Sequence, residues 1–124
     1  MSADAIAVKM GGLQLSNPTV LASGVHGSSL AKVLEALRVG AGGAVTKSIG
    51  PVPREGYSEP TIVEVESGLV NAAGLPNPGA ELFSKDLAQI KERGLPVFVS
   101  VFGADEDEFG KVVGTLDEND FSYT

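Results

Sequence analysis

The sequence contains no cysteine and no tryptophan, and it has a single histidine, His26. Without cysteine these residues hold no disulfide, thiolate metal site or cysteine nucleophile, and one histidine excludes a histidine-rich metal site. Basic residues are also scarce, since 9 lysines and arginines stand against 16 aspartates and glutamates, for a net charge of −7. That balance argues against nucleic acid or an anionic membrane as the main partner, but it permits a local basic site for an anionic ligand.

Long apolar runs are missing as well. No run reaches the roughly 18 residues of a membrane span, and the N-terminus lacks a signal-peptide pattern, so we expect a cytoplasmic protein. The hydrophobic share of 43% and the charged share of 20% are ordinary for a globular protein. The 124 residues show no repeat, low-complexity segment or linker, so residues 1–124 are expected to belong to a single domain.

Short strands are predicted by alternation and by apolar runs. Residues 7–15 alternate about the glycine pair Gly11-Gly12, which predicts a small β-hairpin. Continuously apolar segments are typical of strands buried on both faces of a parallel sheet. They occur at residues 19–22, 44–46 and 97–102.

Helices are predicted between these strands. Leu30, Val33, Leu34 and Leu37 share one face of a helix that Ser28 or Ser29 can cap and that runs to about residue 39. A second helix is predicted over about residues 78–93, with Asn77 as its N-cap, Pro78 in its first turn, and Phe83, Leu87 and Ile90 facing inward. Asp105 and Glu108 form a capping-box pattern at the start of a third predicted helix.

The resulting order is a hairpin followed by three βα units. Such alternation predicts an α/β fold with parallel strands joined by right-handed crossovers, either in an open sheet or in part of a closed barrel. A complete (β/α)8 barrel needs about 250 residues, so this chain is at most half of one. An excursion follows the second strand and includes a partly exposed strand at residues 61–66. Residues 121–124 are predicted to approach a further strand.

Residues 68–79 combine glycine and proline with apolar side chains, which suits either a ligand-pocket wall or a tight turn between a strand and a helix. Asn71 is predicted near the end of an extended run over residues 62–70, where its amide offers both a donor and an acceptor.

Ligands of parallel sheets bind beyond the carboxyl ends of the strands. Ser23-Gly24, Lys47-Ser48 and residues 100–103 occupy those positions. Lys47 can hold a carboxylate, a phosphate or a reduced flavin there, it can form a Schiff base, or it can extend into solvent. Ser23 has no apparent base, and His26 is read as a solvated side chain.

Four ordered motifs resemble those of dihydroorotate dehydrogenases, over the whole chain and most closely the soluble class 1 enzymes of the NAD-linked form. They are Asn17-Pro18 with Leu21-Ala22-Ser23-Gly24, Thr46-Lys47-Ser48, Pro53-Arg54-Glu55-Gly56, and Asn71-Ala72-Ala73-Gly74-Leu75 with Asn77-Pro78-Gly79.

The resemblance implies a (β/α)8 TIM barrel that binds FMN, is preceded by a β-hairpin, and is incomplete here. Ala22, Ser23 and Gly24 would lie along the flavin, and Lys47 would contact flavin and orotate with Ser48 beside it. Asn71, Ala72, Ala73, Gly74 and Leu75 would hold the pyrimidine ring. Ser100 departs from the family pattern, because relatives often carry asparagine there. The implied partners are a second copy of the chain and an iron–sulfur flavoprotein subunit.

We expect the chain to be the N-terminal half of the enzyme, inactive alone, with its catalytic base beyond Thr124 and with weak or no FMN binding. No catalytic residue and no metal ligand is assigned within it. Three alternatives stay open. They are a non-catalytic half-barrel that serves in binding or assembly, a related dihydropyrimidine-type dehydrogenase, and a Schiff-base enzyme that uses Lys47.

Overall fold

The computed structural model describes residues 3–117, which begin with a short 3-10 turn and continue as alternating strands and helices. In chain order the strands and helices are β1 (Val8–Met10), β2 (Leu13–Leu15), β3 (Val20–Leu21), α1 (Leu30–Arg38), β4 (Gly43–Val45), β5 (Ile62–Val65), β6 (Gly68–Asn71), α2 (Ala80–Glu92), β7 (Val97–Phe98) and α3 (Glu106–Asp117). The predicted mixed α/β class and the predicted order are confirmed. The predicted segment at residues 121–124 lies outside the described residues.

The N-terminal hairpin forms as predicted. β1 and β2 pair antiparallel, with Val8 opposite Leu15 and Met10 opposite Leu13. Gly11 turns the chain with a φ of 57°, a conformation that glycine adopts without steric penalty. Leu15 at the end of the hairpin is fully buried, so the hairpin is anchored to the rest of the molecule.

The parallel sheet has the order β3-β4-β7. Val20 lies opposite Gly43, and Ala44 lies opposite Val97. β7 is shorter than the predicted strand at residues 97–102, although a bridge between Ile49 and Val101 continues the pairing further along. The interruption has a local cause, because the backbone N–H of Ser100 donates to the Thr46 hydroxyl, at 3.1 Å, instead of to a strand carbonyl.

Helices α1 and α3 begin where capping side chains satisfy free backbone N–H groups. Ser29 caps α1 by accepting a hydrogen bond from the N–H of Lys32. Asp105 accepts from the N–H of Glu108 at 2.9 Å, and the Glu108 carboxylate accepts from the N–H of Ala104 at 2.8 Å. The predicted capping pair at α3 is therefore confirmed.

The core lies between the parallel sheet and the three helices. α2 contributes the three side chains that its periodicity predicts, and Val112 and Leu116 of α3 are also buried. Phe109, near the start of α3, remains 43% exposed. The buried cluster is Val33, Ala44, Ile49, Ala80, Phe83, Leu87, Ile90, Val97, Val112 and Leu116.

The excursion after β4 is a two-stranded ribbon, formed by β5 and β6 and called the ribbon below. The prediction of one extended run over residues 62–70 was wrong, because the chain reverses at Glu66 and Ser67 and pairs antiparallel with itself. Every residue of both strands is exposed, whereas the sequence predicted only partial exposure for the strand at residues 61–66. Since side chains alternate between faces, Val63, Val65 and Val70 share one face of the ribbon.

None of the helices within residues 3–117 is long and apolar enough to cross a membrane.

Candidate active site

Lys47 and Ser48 are separated from β4 by Thr46 alone and lie at the carboxyl end of the parallel sheet. The backbone N–H of Lys47 donates to the Gly27 carbonyl at 2.8 Å. The hydroxyl of Ser48 lies 2.8 Å from that of Ser100, which follows β7. The structure thus joins the ends of two parallel strands by a side-chain hydrogen bond, and it gives Ser100 a partner that the sequence reasoning missed.

The loop after β3 reaches the same edge through a short helical turn, Val25–Gly27. A Cβ atom on Gly27 would lie 2.5 Å from the Val45 carbonyl oxygen, so only glycine allows this turn to pass so close to the end of β4. Ala22 and Ser23 are exposed, and a Cβ on Gly24 would meet no atom within 4 Å. The loop therefore presents small residues and open space beside Lys47, which suits a flat ligand.

The side chain of Lys47 is partly buried. Within residues 3–117 its ammonium makes no hydrogen bond and no ion pair. By contrast, the ammonium of Lys32 lies 3.3 Å from the Val25 carbonyl. A partly desolvated ammonium without a protein partner is suited to an anionic ligand. His26, the only histidine, is exposed, as expected for a solvated side chain.

Residues 71–75 form the loop that leaves the ribbon. Asn71 is the last residue of β6 and is exposed. The N–H of Ala72 donates to the Thr61 carbonyl at 2.8 Å, and the Ala73 carbonyl accepts from the N–H of Tyr57 at 3.1 Å. These two bonds hold the base of the ribbon.

The next two residues have positive φ, 74° for Gly74 and 55° for Leu75. In the described part of the chain, the N–H groups of Ala73, Gly74 and Leu75 donate to no hydrogen-bond acceptor. Three consecutive free donors can bind the oxygen atoms of an anion.

Asn77 lies behind this loop and is 8% exposed. Its Oδ1 atom accepts from the N–H groups of Gly50, at 3.1 Å, and Gly79, at 2.9 Å. Its Nδ2 atom donates to the Leu75 carbonyl at 2.9 Å. The prediction that Asn77 caps α2 was wrong: Gly79 is the N-cap, with no side-chain cap bond, and the Asn77 amide oxygen is shared between the N–H groups of Gly50 and Gly79.

The structure connects the two groups of predicted ligand residues only indirectly. Among the described residues no hydrogen bond joins Lys47 or Ser48 to residues 71–75, and the link runs through Asn77 and Gly50. A small cavity of about 220 Å³ lies beside the loop and is lined by Arg54, Glu55, Gly56, Tyr57 and Gly74. Residues 3–117 contain no cluster of three side chains able to hold a metal ion.

A larger cavity lies elsewhere. It measures about 710 Å³ and is bounded by the β1–β2 hairpin, α2, β7 and α3, with mostly apolar lining residues such as Leu13, Leu95 and Val113. None of the predicted ligand residues lines it. A site that must orient a polar ligand needs convergent polar groups, and these are at the carboxyl ends of the strands.

Comparison with known proteins gives a family match over nearly the entire chain. The profile of the dihydroorotate dehydrogenase family matches residues 5–123. The relatives include catalytic subunits of dihydroorotate dehydrogenase B (NAD(+)). The protein from Methanocella arvoryzae is 44% identical over 111 residues, which cover 90% of this chain and 37% of the relative. The one from Pyrococcus horikoshii is 49% identical over 89% of this chain and 36% of the relative.

A third relative, from Thermococcus kodakarensis, is 42% identical over 95% of this chain and 39% of the relative. The chain therefore spans little more than a third of the length of these curated relatives.

Proposed function

Because this chain belongs to the dihydroorotate dehydrogenase family, we propose that the complete protein oxidises dihydroorotate to orotate in pyrimidine biosynthesis. The observation that carries the proposal is the unpaired ammonium of Lys47 at the carboxyl end of β4, in a chain whose family match covers residues 5–123. This end of the sheet is where parallel α/β folds bind their ligands.

The residues at this edge fit FMN. Ala22, Ser23 and Gly24 leave open space for a flat ring, while Lys47 supplies positive charge beside it and Ser48 a hydroxyl. When bound, FMN supplies the chemistry of accepting a hydride from the substrate. The protein's part is to hold the ring and the substrate against each other and to balance negative charge, which we assign to Lys47.

Residues 71–75 are proposed to hold the substrate. Dihydroorotate carries a carboxylate and a ring amide edge. The free N–H groups of Ala73, Gly74 and Leu75 match the carboxylate, and the exposed Asn71 amide offers a donor and an acceptor to the ring. Ala72 carries the chain between these two contacts. None of these residues is assigned as the base that removes the substrate proton.

A partner subunit is part of the proposal. The three relatives are named as catalytic subunits of an NAD(+)-linked enzyme, so we propose that an iron–sulfur flavoprotein subunit passes electrons from this protein to NAD(+). We further propose that the complete protein is cytoplasmic, that it forms a homo-oligomer, and that its catalytic chain folds as a (β/α)8 barrel. The parallel sheet with sequential strand order supports the barrel, and the exposed apolar ribbon supports contact with further protein.

The deciding experiment uses the full-length protein, purified with FMN and with its partner subunit. We expect oxidation of dihydroorotate to orotate with NAD(+) as acceptor, and no oxidation of dihydrouracil to uracil. Turnover of dihydrouracil alone would instead establish a related dihydropyrimidine-type dehydrogenase. Turnover of neither substrate by a protein that holds stoichiometric FMN would contradict the proposal. Borohydride trapping of a carbonyl ligand on Lys47 would indicate the Schiff-base alternative.

A further inference from the structure

Asn77 is tied to both halves of the proposed site. Its Oδ1 atom accepts a hydrogen bond from the N–H of Gly50, which follows the Lys47-Ser48 segment. Its Nδ2 atom donates to the carbonyl of Leu75. Its backbone also exchanges two hydrogen bonds with Arg54, each 2.9 Å long. Because two N–H donors face one amide atom and a carbonyl faces the other, the orientation of the amide is determined by its partners.

The bond to Leu75 bears on the conformation of the ligand loop. Leu75 has a φ of 55°, which is unfavourable for a residue with a branched side chain and must be maintained by its surroundings. The Nδ2 atom of Asn77 donates to the carbonyl of this residue at 2.9 Å and so holds the strained end of the ligand loop in place.

The chain contains a second asparagine–proline turn with almost the same hydrogen bonds. Asn17 precedes Pro18 at the amino end of β3, its Oδ1 atom accepts from the N–H of Thr19, and its Nδ2 atom donates to the Gly40 carbonyl at 2.9 Å. Both asparagines thus accept a hydrogen bond from the N–H two residues ahead, and both donate to a backbone carbonyl. That carbonyl is distant in sequence for Asn17 and two residues back for Asn77. Asn17 lies at the opposite end of the sheet from the proposed site, so it is a matched control.

We propose that Asn77 is a positioning residue that sets the substrate loop against the Lys47 segment. The proposal rests on the proposed function for its effect on substrate, but the coupling between the two segments is a property of the fold. Asn77 acts through Leu75 and Gly50 and does not itself touch the ligand. Its loss should weaken substrate binding more than it slows the chemical step, because Lys47 and the flavin-side residues keep their places on the sheet.

The test compares Asn77→Asp with Asn17→Asp in the full-length protein. Both variants keep the oxygen that accepts the N–H hydrogen bonds. They replace the Nδ2 donor by a carboxylate oxygen, which cannot donate to the backbone carbonyl that it faces. For Asn77→Asp we expect faster amide hydrogen exchange in peptides covering residues 47–54 and 71–79, with FMN retained. We also expect the orotate Kd, measured by titration calorimetry, and the KM for dihydroorotate to rise about tenfold, with a smaller change in kcat.

For Asn17→Asp we expect faster exchange only around residues 15–20 and 40–43, and an unchanged orotate Kd. Adding Leu75→Gly to Asn77→Asp should recover part of the affinity, because glycine adopts a positive φ without support. If Asn77→Asp does not fold, Asn77→Ser serves instead, since a serine hydroxyl can still accept from the N–H two residues ahead but cannot reach Gly50 and Leu75 together.

The outcomes separate the two proposals. If the wild-type protein bound no orotate, the proposed function would be contradicted. The hydrogen-exchange pattern would still show whether Asn77 couples the Lys47 segment to the loop at residues 71–79. Unchanged exchange in both peptides of Asn77→Asp would overturn the positioning role. An equal loss of orotate affinity in Asn17→Asp would overturn it too, because the effect would then be general destabilisation.

Discussion

The ribbon has the longer strands, four residues each against two or three in the parallel sheet, but only the sheet buries its side chains. Ala44 in the middle of β4 is 0% exposed and lies between β3 and β7, whereas every residue of β5 and β6 is exposed. An isolated two-stranded hairpin is marginally stable in water, so the ribbon depends on its own backbone ladder and on the bonds at its base. Lys47 therefore has a rigid support, while Asn71 is carried by a part of the chain with little packing.

The sharpest test of this contrast exchanges one leucine of the core that packs against the sheet and one leucine of the ribbon for alanine. Leu87 on α2 is 1% exposed and Leu69 on the ribbon is 72% exposed. We expect Leu87→Ala to lower the free energy of unfolding by about 2–5 kcal/mol, because it leaves a cavity in the core. Leu69→Ala should change it by less than about 0.5 kcal/mol. Denaturant titration of both variants measures the difference, and similar losses would show that the ribbon is packed against further protein.

A second test addresses the rigid support of Lys47. Lys47→Ala in the full-length protein should leave the fold intact but remove a charge-assisted contact worth about 1.5–3 kcal/mol, which is roughly a ten- to hundredfold loss in kcat/KM. Lys85→Ala, on the exposed face of α2, is the control and should keep normal turnover. Normal turnover and normal flavin affinity in Lys47→Ala would identify Lys47 as a lysine that only extends into solvent.

The smallest effect is expected from two glycines that both have free space around them. A Cβ on Gly114 of α3 or on Gly68 of the ribbon would meet no atom within 4 Å. Gly114→Ala should stabilise the protein by about 0.5–1 kcal/mol, because alanine favours the helix. Gly68 has a φ of 152°, which L side chains rarely adopt, so Gly68→Ala should destabilise it. Thermal unfolding would reveal the opposite signs, and the same sign for both would refute this reading.

Sequence pattern predicted the parts of the fold that depend on local rules. The Gly11-Gly12 hairpin, the Ser29 cap and the Asp105–Glu108 pair each rest on contacts within a few residues, and all three are present. The strand ends that carry Lys47 and Ser48 were also placed correctly, because parallel strands present their carboxyl ends at one edge.

The failures occurred where distant contacts outweigh local preference. Asn77 has the local pattern of a helix cap, but Gly50, 27 residues away, competes for its amide oxygen. The ribbon was missed because strand-forming residues stand on both sides of a short interruption, Glu66-Ser67-Gly68, in which only Ser67-Gly68 signalled a reversal. The pairing of Ser48 with Ser100 joins two strands and has no local signature at all.

The position of the ribbon between β4 and α2 also affects how the sheet assembles. Val20 must meet Gly43 to form the first parallel pair, whereas Ala44 must meet Val97 to form the second, across a loop roughly twice as long. Loop-closure entropy rises only by about 0.6 kcal/mol per doubling, so the ribbon adds little to the cost of closing the second pair. The β3–α1–β4 unit should consequently form earlier in folding, and the ribbon can vary in length with little effect on the sheet.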